Sequence, residues 1–257
     1  MGKETRWLLV GVLALGGAAR ADDETWAARA ALGYSKTSGN TDTTTFNYLA
    51  HAAHVIGDWK LLGGISGVYG STQGETTAQS FDGYLQANYN ITPRFYWYGG
   101  LKYDDDHFSG FAYQESLATG VGYQFVKSDA TKLSAQIGVG ARQLQQEILV
   151  KDAIGGIVSS TKLPATTDAV LDAAANYEHA FNSSTKLLVT ASLDAGSTNT
   201  LTVAVVSLQV KMSSLLALSI GYQYKHNSNP PTGSVGTDTL TTVNLVYELK
   251  NPKLAPE

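Results

Sequence analysis

The sequence predicts an all-β fold: a transmembrane antiparallel up-and-down β-barrel of about 12 strands, following a cleaved signal peptide. Three observations predict it. Apolar and polar residues alternate along segment after segment, most cleanly between Phe95 and Arg142. Gly and Tyr are abundant, at 26 and 14, whereas charged residues make up only 16%, a balance that suits twisted strands better than helices. Short and long connections take turns along the chain, which is the asymmetry of an outer-membrane barrel.

Residues 1–21 read as a secretory signal peptide. Lys3 and Arg6 are its basic start, Trp7 to Ala18 its apolar stretch, and Ala19-Arg20-Ala21 its cleavage site before Asp22. The apolar stretch is too short for the roughly 20 residues that span a bilayer as a helix. Residues 22–257 are then one barrel domain. Losing Lys3, Glu4, Arg6 and Arg20 leaves 15 basic against 21 acidic residues, a net charge of −6. That balance argues against a nucleic-acid partner. The absence of cysteine excludes disulfides and thiolate metal sites.

The strands are expected near residues 26–36, 42–56, 59–70, 76–90, 95–105, 112–126, 132–146, 165–181, 185–195, 200–211, 215–226 and 238–250. In the fifth, Phe95, Trp97, Gly99, Leu101 and Tyr103 share one face, and Tyr96, Tyr98, Gly100, Lys102 and Asp104 the other. The sixth sets Leu117, Val121, Tyr123 and Phe125 against Ser116, Gly120, Gly122 and Gln124, and the seventh sets Leu133, Ile137 and Val139 against Gln136, Gly138 and Arg142. Aromatic rings at the ends of the apolar faces match the two bilayer interfaces. The second strand is ambiguous: either Phe46, Tyr48, Ala50 and Ala52 or Leu49, Ala53 and Val55 could face lipid.

Short turns are expected at Gly57-Asp58, Thr92 to Arg94, Lys127 to Thr131, Asn182 to Ser184 and Met212 to Ser214. Longer loops are expected at Thr37 to Thr41, Ser71 to Glu75, Asp106 to Phe111, Glu147 to Pro164, Gly196 to Asn199 and Asn227 to Thr237. An even strand count with the N-terminus at the short-turn end puts both termini in the periplasm. A soluble calyx or sandwich is the alternative, but small inward residues beside Gln, Asn and Arg suit a polar lumen better.

With the strands placed, Ala31 to Gly70 resembles the YdiY-like family of salt-induced outer-membrane proteins, a domain of unknown function. The motif that carries the resemblance is Ser38-Gly39-Asn40-Thr41-Asp42 at the first hairpin, and Tyr96 to Phe125 is similar to the same family. The resemblance implies an outer-membrane barrel associated in some members with salt, and it transfers no catalytic residue. The end of the chain departs from many such barrels, which finish on an aromatic residue. Here Tyr247 is followed by Glu248 to Glu257, so the assembly signal is expected at Val243, Leu245, Tyr247 and Leu249.

The sharpest polar cluster is Asp104-Asp105-Asp106-His107. A cation site or an Asp/His pair activating water would use such residues. Adjacent strand residues point to opposite faces, however, so the plain reading is a solvated acidic loop. Ser109 near His107 raises a Ser/His nucleophile, but no Gly-flanked Ser motif surrounds it, and His51, His54, His179 and His226 are scattered. No enzyme activity, cofactor or metal is expected.

More informative is the set expected to face the lumen: Arg29, Asp82, Lys102, Asp104, Arg142, Asp172, Glu178, Asp194, Lys211, Lys225 and Glu248. Facing lipid at the midplane, such a charge would cost roughly 2–4 kcal/mol. The plain reading is a ladder of ion pairs that rigidifies the barrel, and the functional one an aqueous path tuned by the same residues. Gly63, Gly64, Gly100, Gly120, Gly122, Gly138 and Gly140 would remove bulk from the wall and favour a path. The leading expectation is therefore an outer-membrane envelope protein that is a narrow channel for ions or small solutes. A plugged structural or adhesion barrel acting through its outer loops comes second, and a surface hydrolase around His107 third. The expected partners are outer-membrane lipid and lipopolysaccharide, the barrel-assembly machinery, and small solutes or ions.

Overall fold

The computed structural model describes residues 26–37 and 42–249. The expected signal peptide, most of the Ser38–Asp42 motif and the tail after Leu249 lie outside the described residues. Thirteen strands follow one another: β1 (Trp26–Thr37), β2 (Thr43–Ile56), β3 (Trp59–Thr72), β4 (Glu75–Asn90), β5 (Phe95–Asp106), β6 (Phe111–Lys127), β7 (Thr131–Lys151), β8 (Ile157–Lys162), β9 (Thr166–Ala180), β10 (Thr185–Gly196), β11 (Thr200–Lys211), β12 (Leu216–Asn227) and β13 (Thr237–Leu249).

Twelve of them close into an antiparallel barrel. Sequence neighbours pair throughout, β7 pairs directly with β9, and β1 pairs with β13. Closure of β1 on β13 removes the free edges of an open sheet over the paired stretch, where hydrocarbon requires backbone N–H and C=O groups to be bonded. The closing seam is short. It runs over Ala28–Leu32 and Leu245–Leu249, five register pairs, where β10 and β11 share eleven and β2 and β3 fourteen.

Two loop expectations need correction. Ser71 to Glu75 is a two-residue turn, because Gln73 and Gly74 both take positive φ (52° and 87°) and so match the right-handed twist of the flanking strands. Glu147 to Pro164 is no open loop either. Strand β7 runs on to Lys151 and pairs with β8, forming a ribbon that rises past the barrel rim.

The outward face is apolar. Leu32, Leu85, Leu117, Val139, Ile220 and Val243 are each more than half exposed, which only a lipid surrounding tolerates on this scale. Towards the short-turn end Trp59 meets Tyr89 and Trp97, with ring centroids 5.1 and 6.4 Å apart. Towards the other end Phe81 meets Tyr103 at 6.3 Å. Two aromatic girdles and an apolar belt on a closed barrel place the protein in the outer membrane. The ambiguous β2 resolves in the same way: Phe46 is exposed on the outward face, whereas Leu49 packs inside against Ala31, Ala217 and Val246.

The wall glycines do not clear a path. A side chain added at Gly122 would strike the Tyr96 ring, one at Gly138 the Thr119 carbonyl and Tyr98 hydroxyl, and one at Gly64 the His51 and Tyr84 rings. These glycines seat inward aromatic side chains, while Gly63 lies under Leu85 on the lipid side. Gly138→Ala should therefore overpack the β6–β7 wall and destabilise the barrel by about 1–3 kcal/mol, read from the urea midpoint in micelles. Gly99→Ala, which meets only the Trp97 ring at 3.6 Å, should leave that midpoint in place.

Candidate functional site

Alternation turns the charged residues of the lumen inward, and register then sets like charges side by side. Asp82 lies directly opposite Asp104 on the neighbouring strand, and Asp172 opposite Asp194. Such cross-strand pairs repel. Each is met by a lysine from elsewhere in the wall. Lys225 Nζ lies 2.5 Å from Asp104 Oδ2, 3.4 Å from Asp106 Oδ2 and 3.9 Å from Asp82 Oδ1. Lys102 Nζ donates to Asp172 Oδ2 and lies 3.1 Å from Asp194 Oδ1, and the Tyr98 hydroxyl also donates to Asp172.

The Lys225 bridge crosses the whole barrel. Strands β5 and β12 are six places apart whichever way one counts round the wall. Twelve strands about 4.8 Å apart and tilted by about 40° would make a round barrel about 24 Å across. A lysine and an aspartate cannot span that, so the walls lean together at this level. Beside the bridge, Asn199 Nδ2 donates to Asn227 Oδ1 (2.7 Å) and to Gln114 Oε1 (3.2 Å), and Gln114 donates in turn to Asn227 (3.2 Å).

Arg142 has a different role from a pore-lining charge. Its side chain is 1% exposed, with Nη2 3.2 Å from Asp168 Oδ2. It also donates to the carbonyls of Asp194 and Asn199, and Asp168 accepts from the Thr198 amide at 2.9 Å. The pair clamps the β10–β11 connection to the wall. Towards the short-turn end Lys186 bonds Glu248 at 3.0 Å, and Glu178 sits between Lys132 (3.7 Å) and Lys186 (3.9 Å). Gln209 donates to Glu248 as well (2.8 Å). Arg29 stands opposite Glu248 across the seam and opposite His51 on β2. Lys211 is the last residue of β11 and is exposed at the short-turn rim. It takes part in none of these pairs, because one more residue would already be in the turn.

The Asp104–His107 segment is not a solvated loop. Pleating sends Asp104 and Asp106 inward to Lys225, while Asp105 turns outward, 3.9 Å from the exposed His107. The Ser109 hydroxyl donates to the Asp106 carbonyl (2.9 Å) and accepts from the Phe111 amide, which gives it no orienting base. His54 stacks on Trp26 (3.9 Å) on the lipid side, and His51 packs edge-on against Tyr84 inside. Among the described residues no cluster could hold a metal ion.

Within these bridges the lumen leaves a partly open cavity of about 430 Å³, lined by Arg29, Asn47, His51, Asp82, Tyr84 and Lys102 among others. Such a space is of a size to hold a small polar molecule. Sequence reasoning missed Asp106, Lys132, Asp168 and Lys186 as inward charges. All four follow from the same alternation, since Asp168 has the parity of Asp172, Lys132 that of Arg142, Lys186 that of Asp194, and Asp106 that of Asp104.

Removing Lys102 should leave Asp172 and Asp194 facing each other with no cation. Because the lysine is one-third exposed, Lys102→Met is expected to cost about 2 kcal/mol, less than the roughly 3–5 for a fully buried partner. Chemical unfolding in micelles reads it, and adding Asp194→Asn should recover at least half of the loss.

A family model described as a protein of unknown function, DUF481, matches residues 30–249. The curated relative "Uncharacterized protein YdiY" from Escherichia coli K12 is 23% identical over 218 residues, 84% of this chain and 78% of that protein. Among solved structures, the NanC porin is 11% identical with a TM-score of 0.47, covering 86% of this chain and 100% of that one. The translocator domain of the autotransporter NalP from Neisseria meningitidis is 14% identical with a TM-score of 0.44, covering 88% and 89%. At these scores neither structure says what this barrel does. The family match runs from the first strand of the barrel to the last, and the chain belongs to the DUF481 family.

Proposed function

We propose that this outer-membrane barrel is an envelope component of the salt-induced type that works as a narrow channel for ions or small polar solutes, closed in the conformation described. The observation that carries the reading is the nature of the closure. Side-chain ion pairs and amides bridge the lumen from facing walls and yet leave a cavity of about 430 Å³ among them, where a plugged barrel would be filled by side chains. Charges that bridge a lumen can also take a passing ion as a partner, which packed apolar side chains cannot do. In this reading Lys225 is the main constriction, and Arg142 holds the wall. Lipid and lipopolysaccharide around the belt, and the barrel-assembly machinery, are the partners it requires.

A second reading, a plugged barrel acting through its outer loops, is favoured by how those loops pack. Lys151 Nζ donates to the Phe108 carbonyl at 2.9 Å, Gln146 to the Asn229 carbonyl at 3.2 Å, and Gly110 lies against Pro231 and Ser234. Together they roof the long-loop mouth.

Single-channel recording in planar bilayers separates the two. Lys225→Ala should give larger steps than the parent protein and a higher cation-to-anion permeability ratio, because three carboxylates then line the constriction. If parent and variant are both silent while each shows the heat-modifiable mobility of a folded barrel, the channel reading fails and the loops become the working surface.

A further inference from the structure

The interior of this barrel is not polar all round. On β10 Leu188 shares the inward face of Asp194, and on β11 Val203 and Val205 share that of Ser207 and Gln209. On β13 Leu240 shares the inward face of Asn244 and Glu248. Register sets Val205 opposite Gln223 and Gln223 opposite Leu240, with Leu188 opposite Ser207. Other apolar residues of the lumen are covered: Leu144 is 1% exposed, Val170 3% and Val246 0%. Leu188, Val203, Val205 and Leu240 are only half-buried, and all four line the cavity of about 430 Å³.

The facing wall is of the other kind. Strand β4 stands six places from β11 round the barrel. It brings Asp82, Tyr84 and Gln86 to the same cavity, with Lys102 of β5 opposite Tyr84 in register. Apolar side chains left uncovered inside a wet lumen cost free energy in proportion to their area, and an ion path has no use for them. A wholly polar solute would leave the Leu and Val wall wetted. A wholly apolar one would strip water from the charged wall and give no bonds in return. A molecule with one apolar and one polar end satisfies both walls, which is the usual composition of a small-molecule site.

We infer that the cavity binds small amphiphiles, molecules with a short hydrocarbon body and one polar end. The body lies on Leu188, Val203, Val205 and Leu240, and the polar end turns towards the wall of Tyr84 and Lys102. This site goes beyond the channel reading and does not rest on it. A barrel silent in single-channel recording would still hold the ligand, and a conducting one would still need the apolar wall explained.

The chain has no cysteine, so a single thiol placed on the apolar wall reports on that wall alone. Val205→Cys in the purified full-length barrel, held in lipid nanodiscs, is treated with the small neutral reagent methyl methanethiosulfonate. Mass spectrometry follows the rate of modification in the presence of 1-butanol, 1-pentanol, 1-hexanol or 1,6-hexanediol. The concentration that halves the rate should fall about fourfold for each CH₂ added from 1-butanol to 1-hexanol. The diol, polar at both ends, should protect about tenfold less well than 1-hexanol. Lys211→Cys, exposed at the short-turn rim, should react at one rate throughout, which separates protection from any effect of alcohol on the reagent. Adding Val203→Thr to Val205→Cys keeps the shape but brings a hydroxyl to the wall. It should raise the half-protecting concentration of 1-hexanol about threefold or more. Leu240→Cys is the second reporter, read in the same way if Val205→Cys lacks the heat-modifiable mobility of a folded barrel. The inference is overturned if the thiol in the folded barrel is never modified, or if 1-hexanol protects it no better than the diol. It is equally overturned if Val203→Thr leaves the protection unchanged.

Discussion

The interaction on which the rest of the lumen depends is the seating of one lysine over two or three carboxylates. Strand register places Asp82 beside Asp104 and Asp172 beside Asp194, and carboxyl groups set side by side in a low-dielectric interior repel unless a cation is seated against them. Lys225 and Lys102 supply that cation from distant strands. The consequence is geometric as well as electrostatic, because a bond between opposite walls fixes the cross-section. The size of the cavity, the lean of the walls and the positions of the amides beside Lys225 follow from two ammonium groups.

The charges also explain how a chain so apolar on its outer surface can have a specific interior. Burial outside the membrane would favour an apolar core, but here the belt of Leu, Val and Ile faces lipid and gains nothing by turning inward. The interior is left to groups that cannot face hydrocarbon. Order inside then comes from directional bonds, such as the clamp of Arg142 and Asp168 on the β10–β11 connection.

Much of the fold was legible in the sequence, because a period of 2 names the face of every residue once a strand is recognised. Of the residues expected in the lumen, Lys102, Asp172 and Asp194 meet in one cluster and Asp82, Asp104 and Lys225 in another, whereas Lys211 stays at the rim. What alternation cannot give is the partner. That Lys225 would reach Asp104 depends on closure at a particular strand number, a long-range fact absent from any local pattern. The glycines misled for the same reason: Gly122 and Gly138 read as missing bulk, and the rings of Tyr96 and Tyr98 that fill the space belong to other strands. Strand β8 was hidden because Ile157–Lys162 is half-exposed or exposed throughout and has no buried face to betray it. The turn at Gln73-Gly74 was hidden because Ser and Thr on both sides read as loop.

The short seam between β1 and β13 has a mechanical meaning. Around most of the circumference neighbouring strands are joined by eleven or more register pairs, but this junction has five, all towards the short turns. A hoop fastened evenly resists deformation evenly, whereas one with a half-length fastening yields along a single line. The Asn47–Asn244 hydrogen bond (2.7 Å), which reaches over β1 from β2 to β13, is a side-chain stitch across the stretch where backbone pairing has ended. Compliance in this barrel is thus concentrated along the seam beyond Leu32 and Leu245, and a change in the volume of the cavity would be felt first where the first and last strands part.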